Sequence, residues 1–235
     1  MKKKIVLASI ALVLVLGVIG FMAYGYYQKQ TFKAQKPIVT MEVEGYGTVK
    51  MELYPEVAPN TVRNFIKLIN EKYYDGLTFH RVEESLIQGG DKEGTGSGET
   101  EYTIEGEFKA NDFKDNTLSF EEGTLGLARG DYSMWYYYTG DTSYLKQGYN
   151  SGCTQFFITA TDCSQSFDGN YCAFGKVIEG LDVVKTLTAL ETTTETNEET
   201  GETTNTTMPV NPPVISSMTV DTFGIEYNEP KMIKE

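Results

Sequence analysis

The chain has 235 residues, 40% of them hydrophobic and 12% aromatic, with 23 glycines; that is enough to bury a substantial core and too apolar for a disordered polypeptide. Its net charge of −13 is unevenly placed, because residues 1–36 hold six lysines and no acid while the remainder carries 14 bases against 33 acids. Affinity for nucleic acid comes mainly from Lys and Arg neutralising phosphates, so this acidic remainder excludes nucleic acid as a partner.

After Lys2, Lys3 and Lys4 an unbroken apolar run, Ile5 to Ala23, is long enough to cross about 30 Å of hydrocarbon at about 1.5 Å per residue. Tyr24, Tyr26 and Tyr27 follow it, an aromatic belt that fits a retained anchor better than a cleaved signal peptide. Residues 1–27 are therefore read as a membrane anchor, 28–37 as a tether and 38–230 as the folded domain. The very short basic tail before the run sets the orientation, with the domain outside the cytoplasm. The expected location is the cell membrane, single-pass, or the secreted fraction if the segment is cut.

Within the domain, Val39, Met41 and Val43 alternate with polar residues, a Gly45-Tyr46-Gly47 turn intervenes, and Val49, Met51 and Leu53 alternate again. This pattern predicts a β-hairpin with one buried face. Pro59 suits a first helical turn, and Val62, Phe65, Ile66 and Ile69 recur at helical spacing until Asp75-Gly76. Strands are predicted over 77–82 and 86–88, a mobile loop over 94–98, and further strands over 117–120, 124–128, 155–159, 172–177 and 214–220, with a short helix near 181–187. Two segments interrupt the pattern. Residues 130–152 contain Trp135 and six tyrosines, either a rim over a groove or a surface loop packing its own aromatics. Residues 191–207 hold nine threonines and five glutamates with no aliphatic side chain, which predicts a solvated loop.

One stretch carries the most chemistry: Phe79 to Asp91 reads Phe-His-Arg-Val-Glu-Glu-Ser-Leu-Ile-Gln-Gly-Gly-Asp. It sets a permanently charged guanidinium, Arg81, on a strand-forming run, followed by the amide of Gln88 and a glycine pair. That is a wall rich in donors and without a nucleophile. Gly126-Leu127-Ala128-Arg129, Thr154-Gln155-Phe156-Phe157-Ile158 and Phe167-Asp168-Gly169-Asn170-Tyr171-Cys172-Ala173-Phe174-Gly175-Lys176-Val177 follow further along. In order and chemistry these motifs resemble the cyclophilins, the barrel-type peptidyl-prolyl cis-trans isomerases, bacterial members included, from about Val39 to Glu229.

The resemblance implies a mainly β fold, a closed antiparallel eight-stranded barrel capped by two helices, here preceded by the N-terminal transmembrane helix. It also implies a monomer that needs no cofactor or metal, takes proline-containing polypeptides as partners, and meets the membrane only through the anchor. Arg81, Gln88 and Phe157 become the catalytic candidates. Leu86, Leu127, Phe167 and Tyr171 complete the expected proline pocket, with Ala128, Arg129 and Gln155 meeting the substrate backbone. Ser85 stands where the family usually has a pocket phenylalanine, Ser166 where many members carry tryptophan, and Tyr171 where many carry histidine. His80, the only histidine, is expected as a hydrogen-bonded core residue. Three cysteines allow at most one internal disulfide; the resemblance makes Cys163 with Cys172 the pair, and three unpaired thiols remain the alternative.

The activity so implied is rotation about the bond preceding proline, opposed by amide resonance worth about 18–20 kcal/mol and taking tens to hundreds of seconds unaided. A guanidinium aimed at the prolyl nitrogen weakens that resonance without breaking a bond. The expected function is prolyl isomerisation during folding of exported proteins. The alternative is a non-catalytic chaperone or scaffold module that holds proline peptides.

Overall fold

In the computed structural model of the chain, residues 17–22, 35–196 and 203–234 are described, and the chain divides into two units, residues 1–35 and 36–235. In the first unit, residues 17–22 are helical and exposed. The rest of the expected anchor and most of the tether lie outside the described residues, and among the described residues no helix is long and apolar enough to cross a membrane.

The second unit is built on one eight-stranded antiparallel sheet. Its first hairpin follows the alternation in the sequence: β1 (Ile38–Val43) and β2 (Gly47–Leu53) pair in register, with Val39, Met41, Val49, Met51 and Leu53 fully buried. The other members are β3 (Thr78–Glu83), β4 (Leu86–Asp91), β6 (Thr124–Leu127), β7 (Phe156–Thr159), β8 (Cys172–Glu179) and β11 (Ile215–Asp221), and the spatial order is β11-β1-β2-β8-β6-β7-β4-β3; outside it the short β5 (Thr103–Ile104) pairs with β12 (Met232–Ile233). The expected closed barrel is corrected to a curled, open sheet. Its edge strands meet only at the Thr78–Val214 bridge and three neighbouring backbone bonds, Gly76 N to Ile215 O, Phe79 N to Pro213 O and Ile215 N to Leu77 O. Pro212 and Pro213 enter β11 there without N–H groups, so a full ladder cannot form along this seam.

Two helices cover the concave face. Helix α1 (Pro59–Asn70) buries Val62, Phe65, Ile66 and Ile69, and α5 (Leu181–Thr188) buries Val183, Val184 and Leu187. The Phe65 ring meets Tyr74, Phe156 and Phe174 with centroids 5.1–5.5 Å apart, the first tilted and the other two edge-on, contacts that favour a fixed packing. The N-terminus of α1 has no local cap; its orphan donors are met by Glu107, which accepts from Asn60 N (2.9 Å), Thr61 N (2.8 Å) and Thr61 Oγ1 (2.8 Å). A carboxylate suits the positive end of a helix, although burial pushes the Glu107 pKa up.

Three further expectations are corrected. Residues 117–120 form no strand, because side chains supply the partners a neighbouring strand would: Leu118 N donates to Asn116 Oδ1 and Phe120 N to Asp168 Oδ1. The segment 191–207, expected as a solvated loop, contributes β9 (Thr192–Thr196) and β10 (Thr203–Pro209), which pair with each other, and β10 lies along β3; residues 197–202 are outside the described residues. Threonine favours strands, and a hydrogen bond between Thr193 Oγ1 and Thr206 Oγ1 (2.6 Å) adds a cross-strand tie. Finally, Cys153, Cys163 and Cys172 are all free. Cys172 points into the main core beside Thr61 Oγ1, while Cys163 packs with a second cluster that the main core does not include, so the two sulfurs are not presented to each other. Burial pushes the thiol of Cys153 up to about 11 and that of Cys172 up to about 12, so both stay protonated at neutral pH.

The Glu107 contact generates a test of the fold. Glu107→Ala strands two buried backbone donors and is expected to lower unfolding stability by about 2–3 kcal/mol in denaturant melts. Glu107→Gln retains an acceptor and escapes the cost of a buried charge, so it should lose less than half of that; equal losses for both variants would refute the capping role.

Candidate active site

The register of five adjacent strands places the candidate residues in one row. Arg81 on β3 faces Gln88 on β4, Gln88 faces Phe157 on β7, Phe157 faces Gly126 on β6, and Gly126 faces Ala173 on β8. Paired residues in a sheet project to the same side, so this row defines the outer face. Neighbours in sequence go the other way: Phe156, Ile87, Leu125 and Leu127 belong to the main core, whereas Leu86, Phe157, Ala173 and Phe120 form a separate cluster with Ala128, Phe167 and Tyr171 against it.

The cationic end of the row is held in place. Arg81 donates from Nη1 to Gln88 Oε1 at 3.0 Å and from Nε to Glu83 Oε1 at 2.7 Å, and its Nη2 lies 2.6 Å from the same carboxylate oxygen. These contacts use three of the five guanidinium N–H groups, leaving two for a ligand. Glu83 shares a strand face with Arg81 because strand side chains repeat every two residues. It was not among the residues picked out from sequence, and its i+2 spacing from Arg81 was the available signal. Gln88 Nε2 donates onward to Gln155 Oε1 (2.9 Å), and Gln155 Nε2 to Gly96 O (3.1 Å).

The apolar end is a stack of rings. Phe157 lies parallel to Phe120 at 5.4 Å and edge-on to Phe167 at 5.4 Å and to Tyr171 at 5.8 Å. A Cβ at Gly126 would come within 2.2 Å of the Phe157 ring, so only glycine lets that ring sit over β6. Phe120 and Asp168 support this stack, and the sequence reading did not single them out as site residues. Asp168, inside a quoted motif, ties the 119–120 segment to the short helix α4 (Ser164–Phe167) through Ser119 Oγ (2.6 Å) and Phe120 N (2.8 Å).

Between the two ends lies a cavity of about 120 Å³ lined by Arg81, Leu86, Gln88, Ala128, Arg129, Phe157, Phe167 and Tyr171. That is the liquid volume of about four water molecules, sized for one small ring and below the range of drug-sized sites. Leu86 supplies the wall where Ser85 does not reach. Leu127 is corrected: only 5% exposed, it faces the main core, since alternation along β6 turns Gly126 outward and Leu127 inward. Gln155 borders the neighbouring cavity of about 500 Å³, together with Tyr132 and Trp135 of the insertion.

The insertion 130–152 is partly helical, α2 (Ser133–Thr139) and α3 (Ser143–Tyr149), and it makes a rim as well as packing its own aromatics, with Trp135 stacked on Tyr144. Arg129 fastens it to the groove. Its guanidinium carbon sits 4.5 Å from the Tyr171 ring centroid and 5.1 Å from that of Tyr149, and its Nε donates to Asn170 O at 3.0 Å. His80 is buried as expected, but neither ring nitrogen has a hydrogen-bonding partner among the described residues. Burial lowers its pKa, which keeps the ring neutral at neutral pH.

The loop expected to be mobile, 94–98, belongs to a segment that winds around Asp91, whose carboxylate accepts from the backbone N–H groups of Glu93, Thr95, Gly96 and Gly98 at 2.6–3.3 Å. Burial alone would raise the Asp91 pKa, but these four donors outweigh it and hold the carboxyl below its usual value. Because Gly96 O receives Gln155, the carboxylate also steadies the chain of amides leading to Arg81. Its stabilisation is complete above the unfolded pKa of about 3.9 and is lost as pH falls through the lower folded value. Asp91→Asn is therefore expected to cost about 1–3 kcal/mol at pH 7 and progressively less in acid; urea melts across pH 3–7 that show a constant difference would contradict this.

Residues 38–220 match the family described as cyclophilin type peptidyl-prolyl cis-trans isomerase/CLD. Among curated proteins, the chain is 37% identical over 147 residues to peptidyl-prolyl cis-trans isomerase B of Bacillus subtilis, covering 62% of this chain and 87% of that one. It is 35% identical over 147 residues to peptidyl-prolyl cis-trans isomerase ppi1 of Schizosaccharomyces pombe, covering 62% and 82%. Among solved structures, a cyclophilin type isomerase of Cryptosporidium parvum shares the fold with a TM-score of 0.59 at 24% identity, over 79% of this chain and 98% of that one. The chain belongs to the cyclophilin-type peptidyl-prolyl cis-trans isomerases, and its fold, its matched residues and its relatives agree on that family.

Proposed function

We propose that the row of Arg81, Gln88 and Phe157 is the centre at which this isomerase turns X-Pro bonds, and that the chain does so outside the cytoplasm on exported proteins, tethered to the membrane by residues 5–23. The observation that carries the first part is the cavity of about 120 Å³ with a guanidinium on one wall and an aromatic stack on the other. A related Cryptosporidium parvum structure was solved in the presence of the dipeptide Ala-Pro, the kind of occupant this cavity suits. Leu86, Phe157, Phe167 and Tyr171 would hold the pyrrolidine ring, and Gln88, Ala128, Arg129 and Gln155 the adjoining backbone.

Arg81 acts on the prolyl nitrogen, whose lone pair accepts a hydrogen bond only once conjugation is lost. The bond therefore forms in the twisted state and not in either planar one, which is the condition for lowering a barrier. Glu83 keeps the guanidinium aimed, and Gln88 sets its second edge. The rings exclude water, so the charge-assisted bond is screened less than it would be at an open surface. No covalent intermediate is required, because rotation about the X-Pro bond neither makes nor breaks a covalent bond.

A charge-assisted hydrogen bond contributes about 1.5–3 kcal/mol, so Arg81→Ala should lower kcat/KM for a prolyl peptide by about ten- to a hundredfold. Glu83→Gln, which only loosens an ion pair that is partly exposed, should cost about two- to fivefold. A full rate in Arg81→Ala would refute the mechanism, and peptide binding without turnover in the wild type would favour the holding module over the enzyme. The tether rests on the apolar run Ile5 to Ala23. The full chain is expected to sediment with membranes, to need detergent for release, and to be digested by protease added to intact cells; recovery as a soluble cytoplasmic protein would overturn it.

A further inference from the structure

The threonine-rich hairpin does more than decorate the sheet edge. With β10 lying along β3, residues of the hairpin close a second cavity of about 360 Å³, whose opposite wall includes His80, Arg81 and Gln88. Arg81 and Gln88 also line the ring-sized slot, so the two cavities meet at the guanidinium.

The hairpin wall marks this cavity as a binding space. It is ordered, since Thr206 Oγ1 is bonded to Thr193 Oγ1 at 2.6 Å and accepts from Met208 N at 3.1 Å. Hydroxyls fixed in this way present their remaining hydrogen-bonding capacity in set directions. His80 lines the opposite side, with its two ring nitrogens sealed within the fold.

We propose that this hydroxyl-lined cavity is a subsite for the substrate residues flanking proline, and that Glu195 gives it a preference for a cationic side chain. The inference rests on the reading of the slot as the proline site. An extended peptide advances about 3.3 Å per residue, and the slot and the hairpin cavity share Arg81 and Gln88 on their walls, so the chain flanking a seated proline leads into the hairpin cavity. The Arg81 charge is met by Glu83, which leaves Glu195 as the carboxylate that the hairpin contributes to the lining. The acidic excess of the domain acts in the same direction on an approaching cation. The occupant is a stretch of the same polypeptide whose proline is being turned, recognised by hydrogen-bonding capacity and positive charge.

The test uses the full chain, wild type and Glu195→Lys, with a neutral prolyl peptide and longer peptides carrying Lys or Glu two residues before or after proline. Both kcat/KM and Kd are measured. Wild type is expected to favour the Lys peptide over the Glu peptide by about five- to tenfold on one side of proline, in line with one partly exposed charge pair. The ratio should shrink in 1 M salt and invert in Glu195→Lys. Equal values for Lys and Glu peptides in both forms, with the neutral peptide isomerised, overturn the subsite and leave the activity standing. A neutral peptide that is not isomerised, with the Lys preference intact in Kd, supports the subsite and overturns the catalytic reading. No binding of any peptide overturns both.

Discussion

The site depends on backbone register across four strands. Arg81, Gln88, Phe157 and Gly126 lie side by side only because β3, β4, β7 and β6 pair in that order and at that offset. A slip of one residue anywhere in the row would send a guanidinium into the core or a phenyl ring away from the slot, since strand side chains alternate between faces. The apolar face fixes the register. Each outward residue has an inward neighbour that is buried, Val82 beside Arg81, Ile87 beside Gln88, Phe156 beside Phe157 and Leu125 beside Gly126. Packing of the inner face, at about 1.5–3 kcal/mol for each large side chain buried, is what holds the outer face in alignment for chemistry.

The outer face divides the labour by polarity. At one end three aromatic rings crowd around Phe157; at the other a run of hydrogen bonds passes from Glu83 through Arg81, Gln88 and Gln155 to the backbone of Gly96. A lone arginine on a strand edge would be a mobile surface charge. Here it is gripped on two edges, by Glu83 and by Gln88, which Gln155 holds in turn, so much of the entropy of ordering its long side chain is lost on folding.

Three carboxylates, Glu107 and Asp91 buried and Asp168 exposed, tie the loops to this frame. Glu107 caps α1 from 46 residues away, Asp91 gathers its own following loop, and Asp168 clamps the segment carrying Phe120. In each case the acid accepts from backbone N–H groups that no ladder or helix serves. Loops that compose part of the groove are thereby as well determined as the strands, and they need no regular secondary structure to be so.

Much of this was legible beforehand, and the line of division is physical. Alternation in β1 and β2, the helical spacing of Val62, Phe65, Ile66 and Ile69, and the grouped motifs around Arg81, Gln88 and Phe157 are local properties of the chain, and they determined the strands, the helix and the choice of candidate site residues. The same alternation, applied to Gly126 and Leu127, would have put Leu127 in the core; the family likeness obscured it. Phe120 and the hairpin of residues 192–209 join the candidate site only through contacts between segments distant in sequence, or through an edge strand that needed a partner. Whether the sheet closed was decided likewise by two prolines meeting one particular edge. Periodicity records which way a side chain points, but which other segment it meets is settled only when the sheet has curled, because that meeting is a property of packing and not of neighbours along the chain.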